Sequence, residues 1–410
     1  MAQATRVMIL GCSAATTGEL TMALDWASRC QRRVELHACV PVPLTSLARW
    51  YGATVRNYPT LGIARAAERI QEGVRQVKPD IIVLADILLA YGLSPEFADG
   101  LAYLVPEALR LARVLAMDLY DFDQTAMDVD VFGRPLFQRA PWVPPRVGRL
   151  LPCPANRPEK SSPGRGRYAM MADRGPLPDA QRRAVREKHG VSGPLVVMAT
   201  SHWQHALQKR RETEHVARAF PALAFRYLDE AAAVPVDVIH VGPEPLPVPA
   251  DCARLRYRHV DAMPPAELLD LLGAADLFLT ANSPASSAVR AASVRTPVAA
   301  LHLGPELTPT SSRAGRALAE YASGGAHHPF SLWPVGMFTL VQEVLRDNPF
   351  RNTQLHLDGG RPDEAVAGIR ALLAEPAVAD AQRAAQEAYF RQLAQTVDTP
   401  DRALDAALEA

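Results

Sequence analysis

Residues Pro264–Leu301 read PPAELLDLLGAADLFLTANSPASSAVRAASVRTPVAAL, a helix–strand–helix–strand pattern. Pro264-Pro265 starts a helix that carries Leu268, Leu269 and Leu272. Asp276–Thr280 is an apolar run of strand length. Small residues from Asn282 onward turn the chain into a second helix, which lasts to Ser293, and Pro297–Leu301 is another apolar strand. Apolar strands joined by a helix belong to a parallel sheet covered on both faces.

The same alternation extends in both directions. Upstream, a helix near Asp179–His189 precedes strands at Leu195–Thr200, Val236–Val241 and Arg254–Val260. Downstream, helical patterns lie near 313–322, 334–346, 363–374 and 378–395. In the first half, strands are read at Arg6–Leu10, Val34–Val40, Thr54–Tyr58, Asp80–Ala85 and Val114–Leu119. Helices are read at Glu19–Cys30 and Ile63–Val77. Residues 141–180 are dense in Pro, Gly, Arg and Ser and read as a linker. A length of 410 residues fits two α/β domains. The expected division is 1–160, with the linker from about 150, then 170–375, then a C-terminal helix within 376–410 returning to the first domain.

Charge and composition exclude several classes. Lys+Arg and Asp+Glu both total 44, so the net charge is zero, which argues against a nucleic-acid partner. Cys12, Cys30, Cys39, Cys153 and Cys252 have neither zinc nor redox spacing, and fit reduced thiols in a cytoplasmic protein. No apolar run approaches the ~18 residues of a membrane span. Ile9-Leu10-Gly11-Cys12 imitates a lipoprotein cleavage box, but the apolar stretch before it is too short for a signal core. Neither first strand is followed by Gly-x-Gly-x-x-Gly, and no Gly-Lys-Ser/Thr loop or Gly-x-Ser-x-Gly elbow occurs. Dinucleotide oxidoreductases, ATPases and serine hydrolases are thereby set aside.

Chemistry concentrates at strand ends. Asn282, Ser283, Ser286 and Ser287 crowd a helix start, where free amides and the helix dipole attract an anion such as a diphosphate. The ordinary alternative is a Ser or Asn helix cap. Ser201-His202-Trp203-Gln204-His205 follows the first strand of the second half, and Gly242 follows the next one. His202 and His205 have the spacing of a metal pair, but no third ligand is near in sequence, so no metal is expected. The segment His327–Gly336 is dense in aromatic residues and reads either as a binding-site lining or as a packing turn. In the first half, the loop Gly11–Gly18 lacks a histidine. Asp86, Glu19 and Asp121 are the candidate general bases, each with the alternative of a structural carboxylate.

The stretch from Arg258 to Pro297 resembles the donor-nucleotide region of GT-B glycosyltransferases of the UDP-glycosyltransferase and MurG-like kind. Ala274-Ala275-Asp276 before the strand matches, and the spacing runs without gaps to Pro297. This resemblance implies two Rossmann-like domains facing each other across a cleft. It implies a nucleotide-sugar donor, UDP- or TDP-linked, used without metal or other cofactor, and a small-molecule or peptide acceptor, in secondary metabolism. It assigns the base to Arg258-His259-Val260, the diphosphate to Asn282–Ser287, and further phosphate contacts to Ser201, His202 and Trp203. The chain also departs from the family. Asn282 stands where the family has His, Ser283-Pro284 where it has Gly-Gly, and Arg290 where a Glu holds the ribose. Arg295 replaces a Gly, and the Asp-Gln pair that contacts the sugar is absent from His302–Pro309. Arginine pairs with phosphate but cannot accept a hydrogen bond from ribose. The alternative is therefore a catalytically inactive GT-B-like scaffold of a biosynthetic pathway. A sugar-nucleotide epimerase of the same architecture is a further reading.

Overall fold

The computed structural model describes residues 4–11, 17–58, 63–85, 112–121, 129–132, 134–137 and 147–409. The chain divides into two compact units. Unit 1 comprises Met1–Met127, Gln138–Ala172 and Gln392–Ala410, and unit 2 comprises Asp128–Phe137 and Asp173–Arg391.

Unit 1 is built on a seven-stranded sheet in the order β3-β2-β1-β4-β5-β8-β9. Its strands are β1 (Thr5–Leu10), β2 (Val34–Pro41), β3 (Thr54–Tyr58), β4 (Ile81–Leu84), β5 (Arg113–Met117), β8 (Gly148–Cys153) and β9 (Arg165–Ala169). Every pairing in it is parallel. Helix α1 (Thr17–Arg29) buries Leu20, Ala23, Leu24 and Ala27, the face its periodicity marks. Helices α2 (Thr45–Trp50) and α3 (Ile63–Val77) follow β2 and β3.

The linker reading of 141–180 does not hold over β8 and β9. Their composition hid them for two physical reasons. Arg149 is buried against Asp118 at 2.7 Å, and Arg165 and Arg167 pair with Asp121, so charged residues sit inside the sheet as neutralised pairs. The glycines serve packing. A Cβ on Gly148 would lie 1.9 Å from the Ala407 carbonyl oxygen, and one on Gly166 would lie 1.9 Å from that of Ala403. Only bare backbone lets the last helix approach so closely.

Unit 2 holds a six-stranded parallel sheet in the order β12-β11-β10-β13-β14-β15. Its strands are β10 (Leu195–Ala199), β11 (Val236–Val241), β12 (Leu255–Val260), β13 (Leu277–Thr280), β14 (Val298–His302) and β15 (Leu355–Asp358). A hairpin of β6 (Val129–Val131) and β7 (Arg134–Phe137) also belongs to this unit. The helices are α4 (Asp179–Lys188), α5 (His202–Leu207), α6 (Glu214–Ala231), α7 (Pro265–Ala274), α8 (Ser286–Ser293), α9 (Arg313–Ser323), α10 (Phe338–Arg346) and α11 (Pro362–Ala374). One core cluster packs α6 against Leu277, Leu279, Leu301 and Leu357, and the cluster on the other face holds Phe278 and Val298. The strands are therefore buried on both faces, as their unbroken apolar runs require. Helix α12 (Pro376–Thr396) starts in unit 2 and ends in unit 1, and α13 (Pro400–Leu408) packs on β8 and β9. No described helix is long and apolar enough to cross a membrane.

Candidate functional site

In unit 2, β10 lies between β11 and β13, so the connections after β10 and β13 leave toward opposite halves of the sheet. A crevice at that switch point, outside the carboxyl ends of the strands, is where open α/β sheets take ligands. The loops that flank it are Thr200–His202 and Ala281–Ser286.

The second loop feeds α8. Its turn closes through Ala285 N–H donating to the Asn282 carbonyl at 3.1 Å. Ala285 occupies the N-cap position and no side chain caps the helix, so the ordinary Ser or Asn cap is not what the structure contains. Ala288 N–H bonds the Ala285 carbonyl at 2.9 Å, whereas the amides of Ser286 and Ser287 have no acceptor among the described residues. Ser286 and Ser287 are half-buried. Asn282 and Ser283 lie deeper, 6% and 3% exposed. Asn282 bridges Leu332, and Trp333 N–H donates to the Ala281 carbonyl at 3.2 Å. The floor of the turn is thus fixed by its neighbours while the first amides of α8 stay uncommitted. Arg290 is buried on the same helix.

The first loop is clamped from below. Ser201 N–H donates to Gln204 Oε1 at 2.7 Å, and Gln204 Nε2 donates to the Trp333 carbonyl at 3.1 Å. His202 is exposed, Trp203 half-buried and His205 buried, so the two histidines do not face one ligand. Among the described residues no group of three His, Cys, Asp or Glu could hold a metal. Instead His205 Nε2 bonds Thr200 Oγ1 at 2.8 Å, and the same hydroxyl bonds His240 Nε2 at 2.7 Å. His240 Nδ1 meets the Tyr257 hydroxyl at 3.0 Å, and that oxygen accepts Leu246 N–H at 2.9 Å. Burial, reinforced by His259 and His205, pushes His240 down to about 3, and it lowers His205 also. The relay is therefore neutral near pH 7. Sequence reading missed Thr200, His240 and Tyr257, because their proximity depends on register between strands far apart in the chain.

Gly242 follows β11, and a Cβ there would lie 2.2 Å from Thr200 Oγ1 and 2.8 Å from His240 Nε2. A close approach over the relay, rather than a turn alone, demands this glycine. His259 Nε2 donates to the Gly242 carbonyl at 2.8 Å, and Arg258, His259 and Val260 are half-exposed on edge strand β12. The aromatic segment His327–Gly336 proves to be packing. Phe330 is fully buried with its ring 4.7 Å from that of Phe220, and Trp333 Nε1 donates to the Val216 carbonyl at 3.0 Å.

In unit 1, Glu19 lies in the first turn of α1 and is half-buried. Asp121 is held by Arg165 and Arg167, a structural ion pair rather than a poised base. Asp86 lies outside the described residues, as does Cys12.

Comparison with known proteins bears on the fold. A model described as a family of unknown function (DUF6365) matches residues 46–410. No curated protein is similar in sequence. Among solved structures, the spinosyn forosaminyltransferase SpnP covers 100% of both chains at 17% identity, with a TM-score of 0.52. The spinosyn rhamnosyltransferase SpnG, complexed with thymidine diphosphate, covers 98% of this chain and 100% of its own at 13% identity, TM-score 0.51. HepE of Anabaena, in complex with UDP-glucose, covers 98% of each chain at 14% identity, TM-score 0.51. At these identities the likeness concerns architecture. Two parallel-sheet α/β units in this arrangement of strands are the GT-B, glycosyltransferase-like fold.

Proposed function

The chain belongs to the DUF6365 family, and from that premise we propose that it is a glycosyltransferase that takes its sugar from a nucleoside diphosphate. The observation that carries this reading is the start of α8: two uncapped amides beside the switch point of a parallel sheet. Such amides, backed by the helix dipole, suit a diphosphate. When the glycosidic bond to the phosphate breaks, negative charge grows on the leaving diphosphate. Donors already aimed at that charge favour the transition state over the bound donor. In this reading Ser286 and Ser287 hold the diphosphate, Ser201, His202 and Trp203 border it, Gly242, His259 and Val260 face the base, and Asn282 and Ser283 form the floor of the turn. Arg290 steadies α8 from its buried side. The nucleotide is UDP or TDP, which fits what SpnG and HepE hold in their complexes. The acceptor is a small molecule or peptide. Its proton passes to a carboxylate of unit 1, Asp86 or Glu19.

Calorimetric titration with UDP, TDP and GDP tests the donor site. Micromolar to millimolar binding of one of them is expected, and no binding of any would overturn the reading. The second reading, a catalytically inactive scaffold, draws on the locked Asp121 and on Arg290 in place of an acid. Nucleotide binding without turnover of any sugar nucleotide, together with Asp86→Asn matching the wild type, would favour it.

A further inference from the structure

Beside the start of α8, four buried side-chain atoms have no hydrogen-bond partner among the described residues: Asn282 Oδ1 and Gln354 Oε1, on buried residues, and His302 Nδ1 and His356 Nε2, on half-buried ones. Strand register places them together. Ala300 of β14 pairs with Thr280 on one side and with His356 on the other, and His302 pairs with Asp358. Alternation along a strand then puts Thr280, Ala300, His302, His356 and Asp358 on one face of the sheet. The opposite face presents Leu301 and Leu357 to the core. Asn282 is two residues beyond Thr280, and Gln354 Nε2 donates to the carbonyl of the adjacent Ser283 at 2.9 Å. The four atoms therefore lie within roughly two strand spacings, about 10 Å.

Unmet hydrogen-bonding groups at this density need an occupant, since each costs desolvation energy when left alone. Asn282 and Gln354 are both 6% exposed, so bulk water does not serve them. Their chemistry specifies the occupant. Gln354 spends its Nε2 on Ser283, which fixes its Oε1 as a free acceptor. The imidazoles are uncharged near pH 7: burial lowers both, His356 to about 4, and Arg351 opposes the protonation of each, while Asp358 offsets part of the shift of His302. Asp358 is engaged by the amides of Gly304 at 3.1 Å and Gly360 at 2.8 Å. What remains is a set of acceptors and neutral imidazole nitrogens. That set suits groups that donate and accept together, which is to say hydroxyls, whereas an anion would have to draw on the neighbouring Arg351.

We propose that this row of side chains receives the hydroxyls of a neutral hexose, so that the donor is a neutral rather than an acidic sugar nucleotide. The proposal rests on the diphosphate site at α8 and extends it by naming the sugar class. The test is calorimetry with the bare nucleoside diphosphate that binds, then with its glucose and glucuronic acid esters. Two hydroxyl contacts should make the glucose ester about tenfold tighter than the bare diphosphate, and the glucuronic acid ester no tighter than it. His356→Leu should erase the gain from glucose and leave affinity for the bare diphosphate within about twofold, and His356→Gln should restore part of the gain. Circular dichroism and thermal melting establish that both variants fold. A wild type that binds the diphosphate but gains nothing from glucose would overturn this inference alone, the row then being filled by water. A preference for glucuronic acid would overturn it also, with Arg351 as the reader of the carboxylate. Failure to bind any nucleotide would remove the underlying function together with this inference.

Discussion

Arg295 stands at φ +62°, the left-handed region, two residues past the end of α8, where the resembling family has glycine. A residue with a Cβ is strained there by about 1–2 kcal/mol. Its guanidinium offsets this. It pairs with Asp173 at 2.8 and 2.9 Å, reaches the Ala292 and Ser293 carbonyls, and lies 5.4 Å from the Phe390 ring centroid. Arg295→Ala keeps the strain and loses the contacts, whereas Arg295→Gly loses both. Denaturant titration should find both variants less stable than the wild type, with Arg295→Ala the worse by about 1 kcal/mol. Equal losses would show that the left-handed backbone relaxes. Ser287 makes the functional case at the same scale. Its amide is uncommitted and its side chain half-buried, so Ser287→Trp should fill the space above the helix start and weaken nucleotide binding by at least ~100-fold, with the melting curve unchanged. Unaltered affinity in calorimetry would take the donor away from α8.

Among the elements, α13 tests how tightly unit 1 is closed. Its backbone rests on Gly148 and Gly166, and Trp26 Nε1 and the Arg32 guanidinium hold its first turn at the Pro400 carbonyl and at Asp401. Gly166→Ala places a methyl 1.9 Å from the Ala403 carbonyl, so the helix must lift. A loss of about 2–3 kcal/mol is expected, with faster hydrogen exchange confined to α13, α1 and β9. A variant that melts with the wild type would show the helix to be loosely seated. The same contact explains what was legible beforehand. Buried parallel strands such as β4, β11 and β13 announce themselves, because both faces demand apolar residues. Strands β8 and β9 do not, since their glycines serve a helix at the far end of the chain and their arginines are neutralised by acids in the loop after β5. Helix α6 escaped notice with Pro221 inside it. At the site, the α8 turn was readable as a local pattern. The Thr200 relay and the His302–His356 row were not, because register alone assembles them.

Across the whole molecule the same strand order, three-two-one-four-five, recurs in both units, so each offers loops at the carboxyl ends of a parallel sheet. Ten of the 11 histidines fall in unit 2, His37 of β2 being the one in unit 1. Burial lowers His205, His240, His302, His327, His328 and His356 below the ordinary imidazole value, His240 to about 3 and His356 to about 4. The native state therefore binds fewer protons than the unfolded chain below pH ~6.5. The stability these groups contribute is complete above that pH. It falls as pH drops toward each native value, with a slope of up to about 1.4 kcal/mol per pH unit for each histidine. Carboxylates are still ionised between pH ~6.5 and ~5, so histidines dominate that window. Urea midpoints at pH 7.5, 6.5, 5.8 and 5.0 should decline steadily below 6.5. Fluorescence of Trp333, packed on Phe220 beside the α8 turn, should report unit 2 unfolding at the lower midpoints. Nucleotide affinity should survive to the onset of that transition, because the amides of Ser286 and Ser287 do not titrate. A stability flat down to pH 5 would mean that the relay takes up protons without cost, and His240 would then have to be open to water.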